Sequence, residues 1–248
     1  MTSAEKRRRF HELHTADELF VMPNPWDVGS AVQLQQAGFP ALATTSSGFA
    51  MSHGRDDGDM TLDELISHTS SLASSIAVPL SVDAERCFAE ELDDVAITVE
   101  RLAEAGAAGL SIEDWSPDRG IDPMPQAIAR VATAVDAASM DGLVVTARAE
   151  NLLRGYDDLD DTMARLAAFA DAGAHCVYAP GLTQAADIER VVAAVDGRAV
   201  NVLALPSGPS SAQLADLGVR RVSTGGALAR RAYGAALDAA VALRSGHR

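Results

Sequence analysis

Residues 104–114 read Glu-Ala-Gly-Ala-Ala-Gly-Leu-Ser-Ile-Glu-Asp: the end of a helical pattern, a glycine, and a short apolar run that closes in two acids. A glycine just past a helix adopts the left-handed conformation without steric cost, so the chain can turn directly into a strand. Similar glycines end the helical patterns at Gly38, Gly173 and Gly218, and an apolar run follows each within a few residues. The stretch is therefore one copy of a repeated unit, a helix followed by a buried strand.

The alternation of strand and helix occurs eight times along the chain. Strands are predicted at 19–22, 41–45, 79–83, 109–113, 143–148, 175–179, 199–204 and 220–224. Helices are predicted at 27–37, 61–75, 90–105, 124–138, 157–172, 183–195, 210–217 and 226–244. Eight such units in 248 residues predict an α/β fold, a (β/α)8 TIM barrel formed as a single domain by residues 1–248, with 1–16 as an N-terminal helical extension. An open doubly wound sheet is the rival, but its first crossover usually carries a glycine-rich nucleotide fingerprint, which is missing after the first strand.

Composition and charge exclude several classes of partner and site. The formal net charge of −15 argues against a nucleic acid partner, because phosphate backbones require a basic surface. No apolar segment follows the basic stretch 6–9, and no run is long enough for a membrane span, so we expect a cytoplasmic protein with no membrane partner. Cys87 and Cys176 are too few and too far apart for a disulfide framework or a zinc site.

Lys6 is the only lysine of the chain. It lies in a charged N-terminal stretch, where we expect it to be solvent-exposed. Schiff-base enzymes and enzymes that hold pyridoxal phosphate covalently need a lysine amine in a desolvated pocket. Carbonyl or enolate chemistry in this protein would therefore rely on a metal or on hydrogen-bond donors.

Acidic residues collect where two strands end, at the face of a barrel that carries active sites. Asp83 and Glu85 follow the third strand, and Glu113 and Asp114 follow the fourth. Taken singly, each acid could equally be a helix cap or a solvated turn residue. As a set they are costly to desolvate unless a cation or a proton offsets their charge. Oxygen ligands of this kind suit Mg²⁺, for which Mn²⁺ could substitute, so Asp83, Glu85 and Glu113 are the predicted metal ligands.

Other polar side chains at the strand ends are predicted to bind a small carboxylate substrate. Arg148 follows the apolar run 143–145, where a guanidinium must pair with an acid or an anionic ligand; a salt bridge to Glu113 or Glu150 is compatible with both. The Ser46-Ser47-Gly48 turn can aim backbone N–H groups at a carboxylate, although serine and glycine also populate structural turns. The predicted substrate-binding set is Trp26, Asp27, Thr45, Ser46, Ser47, Gly48, Arg148 and Asn201.

Three further segments allow two interpretations each. Thr224-Gly225-Gly226 is either a phosphate-binding nest or a tight turn into the last helix. The segment 51–59 is either a mobile active-site loop that offers Asp57 or an ordinary surface loop. Cys87 stands beside the acids, whose charge would raise the pKa of its thiol, so it is not expected to act as a nucleophile.

From about Phe20 to Ala240 the chain resembles the isocitrate lyase/phosphoenolpyruvate mutase superfamily. The motifs that carry the resemblance are Pro-Asn-Pro-Trp-Asp27, Thr-Thr-Ser-Ser47-Gly48, Gly-Arg-Asp-Asp57-Gly58, Val-Asp83-Ala-Glu85, Ile-Glu113-Asp114 and Ala-Arg148-Ala-Glu150. The resemblance implies that Asp83 holds Mg²⁺ and that Glu85 and Glu113 act largely through metal-bound water. It also implies that Ser47-Gly48 and Arg148 bind the carboxylate of a 2-oxo acid and that Asp57 lies near the reacting centre. Asp57, Glu113 and Arg148 are accordingly the predicted catalytic residues.

The same resemblance implies an assembly. Members of this superfamily tend to exchange their last helix between subunits, so we expect a homodimer or a homotetramer. Two segments depart from the superfamily pattern: residues 115–125 lack the lysine, cysteine and histidine of the gating loop of isocitrate and methylisocitrate lyases, and the usual Asp-Gly-Tyr-Gly stretch has become Glu85-Arg86-Cys87-Phe88. Arg86 is expected either to pair with the acids or to extend over the substrate.

The expected function rests on the motifs that match the superfamily and on the two segments that depart from its pattern. We expect a Mg²⁺-dependent lyase that cleaves a C–C bond of a small 2-oxo or 2-hydroxy di- or tricarboxylic acid through a metal-stabilised pyruvate enolate. Cleavage of isocitrate or methylisocitrate itself is disfavoured by the altered loop. The alternatives are a phosphonomutase or phosphonopyruvate hydrolase that acts on a P–C bond, a metal-free phosphate-binding barrel, and a non-catalytic binding protein.

Overall fold

Short β-branched runs form a barrel of parallel strands in the computed structural model, which describes residues 1–244. The barrel strands are β1 (Phe20–Met22), β2 (Leu42–Ala43), β3 (Leu80–Asp83), β4 (Gly109–Glu113), β7 (Val144–Arg148), β8 (Cys176–Tyr178), β9 (Ala199–Leu203) and β10 (Arg221–Ser223). A small antiparallel hairpin, β5 (Trp115–Ser116) and β6 (Gly120–Ile121), follows β4. The barrel order is β1-β10-β9-β8-β7-β4-β3-β2. The Ala43 amide donates to the Pro23 carbonyl oxygen at 3.2 Å, which brings the first and last strands of this order together.

Helices surround the barrel. They are α1 (Ser3–Thr15), α2 (Val28–Gln36), α3 (Ser46–Ser52), α4 (Leu62–Ser75), α5 (Leu92–Glu104), α6 (Met124–Asp141), α7 (Leu159–Asp171), α8 (Ala185–Ala194), α9 (Ser211–Asp216) and α10 (Ala227–Arg244). Their buried faces pack on the strands in one large apolar cluster, built largely from alanine, valine and leucine, and in three smaller ones. None of the helices within residues 1–244 combines the length and the apolarity needed to cross a bilayer.

The predicted barrel is confirmed. Each of the eight predicted strands ends within two residues of an observed one. The glycines that were predicted to end helices in the left-handed conformation do so, with φ of 91° at Gly38, 96° at Gly106, 98° at Gly173 and 88° at Gly218. The repeated helix–glycine–strand unit therefore determines the architecture, because each glycine returns the chain to the sheet at the same edge.

Two short elements were not predicted. The Ser46-Ser47-Gly48 stretch is the first turn of α3, whose N-cap Thr45 accepts the Gly48 amide at 3.4 Å. The hairpin β5–β6 forms within the altered loop after β4. Both are too short to show a periodic hydrophobic pattern, and pattern is the main signal for secondary structure in a single sequence.

The expectation that Lys6 is solvent-exposed is wrong. Its side chain is 7% exposed, and Nζ donates to the carbonyl oxygens of Ala73 and Ile76, each at 2.7 Å. These carbonyls lie at the carboxyl end of α4, where unsatisfied acceptors and the helix dipole favour a cation. Phe10, on the same helix as Lys6, is fully buried in a cluster with Phe20 and Val144. Helix α1 therefore packs against the barrel and is not a free extension.

Candidate active site

Arg148 lies at the carboxyl end of β7, paired in register with Glu113 on β4 and with Tyr178 on β8. Its guanidinium contacts three carboxylates: Nη1 lies 3.2 Å from Asp83 Oδ1, and Nη2 lies 3.1 Å from Glu113 Oε2 and 2.6 Å from Glu150 Oε1. Burial alone would lower the pKa of Arg148, but the charges of Glu113, Glu150 and Asp83 raise it well above its ordinary value. The anticipated salt bridges to Glu113 and Glu150 are both present, with Asp83 as a third partner.

Asp83 is held with its carboxylate at the cavity. Oδ1 accepts from the Ser111 hydroxyl at 3.3 Å in addition to Arg148, and Oδ2 accepts from the Ser46 amide at 3.1 Å. The Asp83 amide in turn donates to Thr44 Oγ1 at 2.8 Å. These contacts come from three different strand ends, so the position of this carboxylate is determined by the barrel and not by a single loop.

Glu85 is half-buried and Glu113 is buried, and the surroundings of each carboxyl group raise its pKa. Burial, then the charges of Asp83 and Asp57, raise the pKa of Glu85 to about 7. Burial also raises the pKa of Glu113 well above its ordinary value, with Arg148 opposing the shift. Glu85 has a backbone φ of 49°, and Cys87 and Phe88 have φ of 59° and 51°. A run of left-handed non-glycine residues is strained, and such strain is concentrated at functional sites.

Asp114, in contrast, is a structural residue. Its Oδ1 accepts the Glu150 amide at 2.8 Å, and its Oδ2 accepts from Arg165 Nη1 at 3.0 Å. Of the four acids that suggested a metal site, this one points away from the cavity. The adjacent Glu113 points toward it, because successive side chains of a strand face opposite sides.

The arrangement of the acidic side chains limits how a metal ion could bind to them. Within residues 1–244 no three His, Cys, Asp or Glu side chains stand in a geometry that could hold one metal ion together. Mg²⁺, however, usually takes only one or two carboxylates directly and keeps several waters. A site of that kind would need only the Asp83 carboxylate as a direct protein ligand, and Asp83 lines the cavity.

A small cavity opens beside Asp83 and Arg148 at the carboxyl ends of the barrel strands. It is lined by Met22, Asn24, Ala43, Thr44, Ser81, Asp83, Ser111, Arg148, Tyr178, Asn201, Arg221, Ser223 and Gly225. Asn201, predicted to bind substrate, is among these residues. Polar side chains from all eight barrel strands, or from the turns that follow them, therefore meet at one opening.

Ser46, at the start of α3, contacts Asp83 through its amide, but Thr45, Ser46, Ser47 and Gly48 are not among the residues that line the cavity. Their amides are less available than predicted, because the Ser46 amide donates to Asp83 and the Gly48 amide to Thr45. The Ser47 hydroxyl lies 3.2 Å from Thr45 Oγ1. Asp57 lies on an exposed segment, but its carboxyl group faces Ser46; desolvation and then the Asp83 charge raise its pKa, which the Ser46 hydroxyl opposes.

Trp26 and Asp27 do not line the cavity, which corrects their predicted role in substrate binding. Asp27 is the N-cap of α2, and its Oδ1 accepts the Ser30 amide at 2.6 Å. Trp26 lies against α10, with its ring centroid 6.3 Å from that of Tyr233. Helix α2 begins within a few residues of β1, so the polar residues at this junction cap and pack the helix.

The Thr224-Gly225 turn has its amides occupied. The amide oxygen of Asn24 accepts from the Thr224 amide at 2.8 Å and from the Gly225 amide at 2.9 Å. A phosphate would have to displace this side chain, so the structure favours the tight-turn interpretation over the phosphate-binding nest. Cys87 is fully buried, and burial raises the pKa of its thiol to about 12, in agreement with the prediction that it is not a nucleophile.

Two arginines at the mouth have roles that the sequence did not reveal. Arg154 Nε donates to Glu150 Oε2 at 3.1 Å, and its guanidinium lies over the Trp115 ring. The spacing of four residues between Glu150 and Arg154 was the available signal. Arg86 pairs with the buried carboxylate of Asp122, through Nε at 2.9 Å and Nη2 at 3.2 Å, and not with the cavity acids.

Comparison with known proteins adds the family. The phosphoenolpyruvate phosphomutase family model matches residues 10–244. A solved Burkholderia cenocepacia J2315 protein, considered a lyase or mutase, is 46% identical, with a TM-score of 0.93 over 98% of this chain and 88% of that one. The solved 2,3-dimethylmalate lyase is 27% identical, with a TM-score of 0.86 over 99% of this chain and 88% of its own.

A relative of known activity matches a shorter region. The 2-methylisocitrate lyase of Escherichia coli strain K12 is 32% identical over 166 residues, which cover 63% of this chain and 55% of the lyase. The family model spans nearly all of the described barrel, and the acids and arginine of the cavity lie within it. The chain belongs to the phosphoenolpyruvate phosphomutase family and is an enzyme of the isocitrate lyase/phosphoenolpyruvate mutase superfamily.

Proposed function

We propose that this protein is a Mg²⁺-dependent lyase that cleaves a C–C bond of a small 2-oxo or 2-hydroxy di- or tricarboxylic acid. The observation that carries the proposal is the Arg148 guanidinium, which lines a small cavity beside the Asp83 carboxylate. An arginine and a metal-ligating acid on one cavity wall provide for a substrate that has a carboxylate and an adjacent oxygen. Two of the relatives described above, 2-methylisocitrate lyase and 2,3-dimethylmalate lyase, are lyases of this chemical type.

The protein's own residues would orient the substrate. Arg148 would bind the carboxylate next to the bond that breaks, and the Ser46 amide holds the Asp83 carboxylate beside it. A divalent cation at Asp83, with Glu85 and Glu113 reaching it through water, would supply Lewis-acid polarisation of the 2-oxo or 2-hydroxy oxygen. Asn201 faces the cavity from β9 and would donate to a second polar group of the substrate.

Proton transfer requires a group that can hold a proton near neutral pH. When the C–C bond of a 2-oxo acid breaks, its electron pair remains on the pyruvate fragment as an enolate, whose third carbon then takes up a proton. When the substrate is a 2-hydroxy acid, a base removes the hydroxyl proton, the hydroxyl-bearing fragment leaves as pyruvate, and the electron pair stays on the other fragment, which takes up a proton. Glu113 and Asp57 both have a raised pKa, so either carboxyl group can hold that proton within reach of the cavity. The two positions differ in exposure, because Glu113 is buried and Asp57 is open to solvent.

A second candidate is a phosphonomutase or phosphonopyruvate hydrolase that acts on a P–C bond. The name of the matching family model favours it. The Thr224-Gly225 turn does not add support, since Asn24 already occupies its amides. We therefore rank P–C chemistry below C–C cleavage.

We also propose that the enzyme is a homodimer, or a homotetramer built from dimers, with the last helix at the interface. Large apolar side chains of α10 face solvent in the single chain, with Tyr233 41%, Leu237 64% and Leu243 79% exposed. A second copy that covers this face would remove them from water, which is the usual reason for such a surface.

Thermal unfolding with oxalate tests the proposed site. Oxalate with Mg²⁺ should raise the Tm of the wild type, and Asp83→Asn should abolish that rise. Asp27→Asn is the matched control, because asparagine caps a helix as well as aspartate and the residue lies outside the cavity. A wild-type Tm that does not respond to oxalate and Mg²⁺ would contradict the metal–carboxylate site.

Substrate class is tested by release of pyruvate. Oxaloacetate, 2,3-dimethylmalate, methylisocitrate and phosphonopyruvate should be incubated with the enzyme and Mg²⁺, and pyruvate measured. Pyruvate from one of the three carbon acids supports the lyase. Pyruvate and phosphate from phosphonopyruvate alone would favour the P–C alternative.

A further inference from the structure

Arg221 on β10 is a buried cation without an acidic partner. Its side chain is 3% exposed and lines the cavity that holds Asp83 and Arg148. Its hydrogen bonds go to neutral groups only: Nε to Asn201 Oδ1 at 2.9 Å, and Nη1 to Thr146 Oγ1 at 2.9 Å and His14 Nε2 at 3.0 Å. Within residues 1–244 it forms no salt bridge. A buried guanidinium in such surroundings is costly unless an anion offsets it.

The two arginines that line the cavity therefore differ in their charge balance. Arg148 is within 3.2 Å of three carboxylates, so its charge is more than neutralised before any ligand arrives. Arg221 keeps its full positive charge, and its Nη2 has no hydrogen-bond partner among the described residues. The uncompensated positive charge of the cavity wall is thus on β10, not on β7.

Arg221 also determines how the Asn201 amide is oriented. A guanidinium can only donate hydrogen bonds, so the Asn201 atom that faces Arg221 Nε must be the oxygen. The NH₂ group then lies on the other side, where one of its hydrogens goes to the Ser223 hydroxyl at 2.9 Å. Asn201 is 1% exposed, and its second N–H is free to donate into the cavity that it lines.

The same logic fixes His14 of α1. Because Arg221 Nη1 donates to His14 Nε2, that nitrogen carries no proton, and the proton is on Nδ1, which donates to the Phe10 carbonyl oxygen at 2.8 Å. Burial, then the Arg221 charge, hold the pKa of His14 well below its ordinary value, so the ring is neutral. Arg221 is therefore held in place from both sides, by α1 below it and by β9 beside it.

We propose that Arg221 is a positioning residue of the active site: it holds the Asn201 NH₂ group toward the cavity and provides the positive charge that draws a carboxylate of the substrate to this wall. The inference rests on the proposed function, in which that substrate is a small organic acid. It assigns the carboxylate remote from the Arg148 end to the β9–β10 wall. A carboxylate of the substrate can accept hydrogen bonds from both the Asn201 NH₂ group and the uncompensated Arg221 guanidinium.

Calorimetric titration of 3,3-difluorooxaloacetate in the presence of Mg²⁺ tests this role with the full-length protein, because this four-carbon diacid, unlike oxalate, carries a carboxylate beyond its pyruvate-like unit. Arg221→Met removes the charge and lets the Asn201 amide rotate, so Kd should rise about tenfold or more while the stoichiometry stays unchanged. A purely structural role would lower the stoichiometry, because part of the protein would be unfolded, and leave Kd as in the wild type. Arg220→Met is the matched control, since Arg220 precedes it in sequence but pairs with the exposed Asp17 outside the cavity.

Asn201→Asp keeps the inference testable if Arg221→Met fails to fold. The new carboxylate would pair with Arg221, so the fold is retained, while the cavity loses both its N–H donor and its uncompensated charge. Kd for 3,3-difluorooxaloacetate should again rise about tenfold or more. An unchanged Kd in either folded variant overturns the role of Arg221 alone. A wild type that does not bind oxalate with Mg²⁺ overturns the proposed function, and this inference with it.

Discussion

Charge balance at single residues explains the chemistry of the cavity mouth. Asp83, Glu85, Glu113 and Glu150 bring four carboxylates together, and Arg148 and Arg154 bring two guanidiniums. If all were ionised, the group would carry an excess of two negative charges in a partly buried place. Burial and the neighbouring acids raise the pKa of Glu85 and Glu113, so uptake of protons by these two groups relieves part of the charge. A divalent cation would provide the same relief and release those protons.

The titration of Glu85 gives a prediction with a definite sign. Its pKa is about 7 in the folded protein against an ordinary value of 4.5, so between these limits the folded state binds more protons than the unfolded state. The metal-free protein should therefore lose stability as pH rises from about 4.5 to 7. Thermal unfolding in buffer with a chelator should show Tm falling over this range.

Two controls make this prediction specific. Glu85→Gln should flatten the dependence of Tm on pH, because the neutral amide does not titrate. Mg²⁺ added to the wild type should raise Tm most at the upper end of the range, where the carboxylates are ionised. A wild-type Tm that rises with pH in the chelated protein would show that another group dominates.

At the scale of elements, the loop after β4 is fastened at both ends. Asp122 accepts two hydrogen bonds from Arg86, its amide donates to the Asp114 carbonyl oxygen at 2.7 Å, and its own carbonyl accepts from Arg165 at 3.0 Å. Arg86 and Asp122 are 8% and 1% exposed. The loop after β4 is thus tied to the barrel by a buried ion pair.

Breaking that pair should loosen the loop. Asp122→Asn leaves the buried Arg86 charge with only the exposed Glu90 carboxylate, 3.9 Å from Nη1, as a counter-charge. Removing one partner of a buried pair costs about 3 kcal/mol. We expect the free energy of unfolding to fall by roughly that amount and amide hydrogen exchange to accelerate in residues 115–123. Asp118→Asn, an exposed acid on the same loop, should change neither. Exchange rates unaffected by Asp122→Asn would mean that the hairpin β5–β6 holds the loop without the ion pair.

How much of the structure could be predicted from the sequence differs from one element to another. Long periodic helices and the strands between them were predicted to within a few residues, because their pattern repeats and a glycine marks each turn. Asp83, Glu113 and Arg148 were placed correctly because the end of a buried strand has one position in a barrel. Asp27 and Lys6 were misjudged because an acid after a strand and a lysine near a terminus look the same whether they cap a helix or face solvent. The role of Arg221 is invisible in sequence, since it depends on which neutral groups surround it.

On the scale of the whole molecule, the barrel concentrates chemistry at one end and packing at the other. Residues as far apart as Asn24 and Thr224 are joined by hydrogen bonds at the carboxyl ends of the strands. At the opposite end, α1 covers the barrel with Phe10 and His14 and reaches Arg221 of the cavity wall. The N-terminal helix and the active site therefore share one buried polar network.

Helix α10 lies against α3 at its start and is exposed along most of its length. If its apolar face is an interface between subunits, as proposed, Leu237→Asp should convert the assembly to monomers, because a charge would be buried without a partner. Light scattering coupled to size-exclusion chromatography measures the mass directly. Met140→Asp is the matched control: Met140 is also apolar and 86% exposed, but it lies near the end of α6. We expect the control to retain the wild-type mass; a monomeric wild type, or a Leu237→Asp variant of unchanged mass, would rule out this face as the interface.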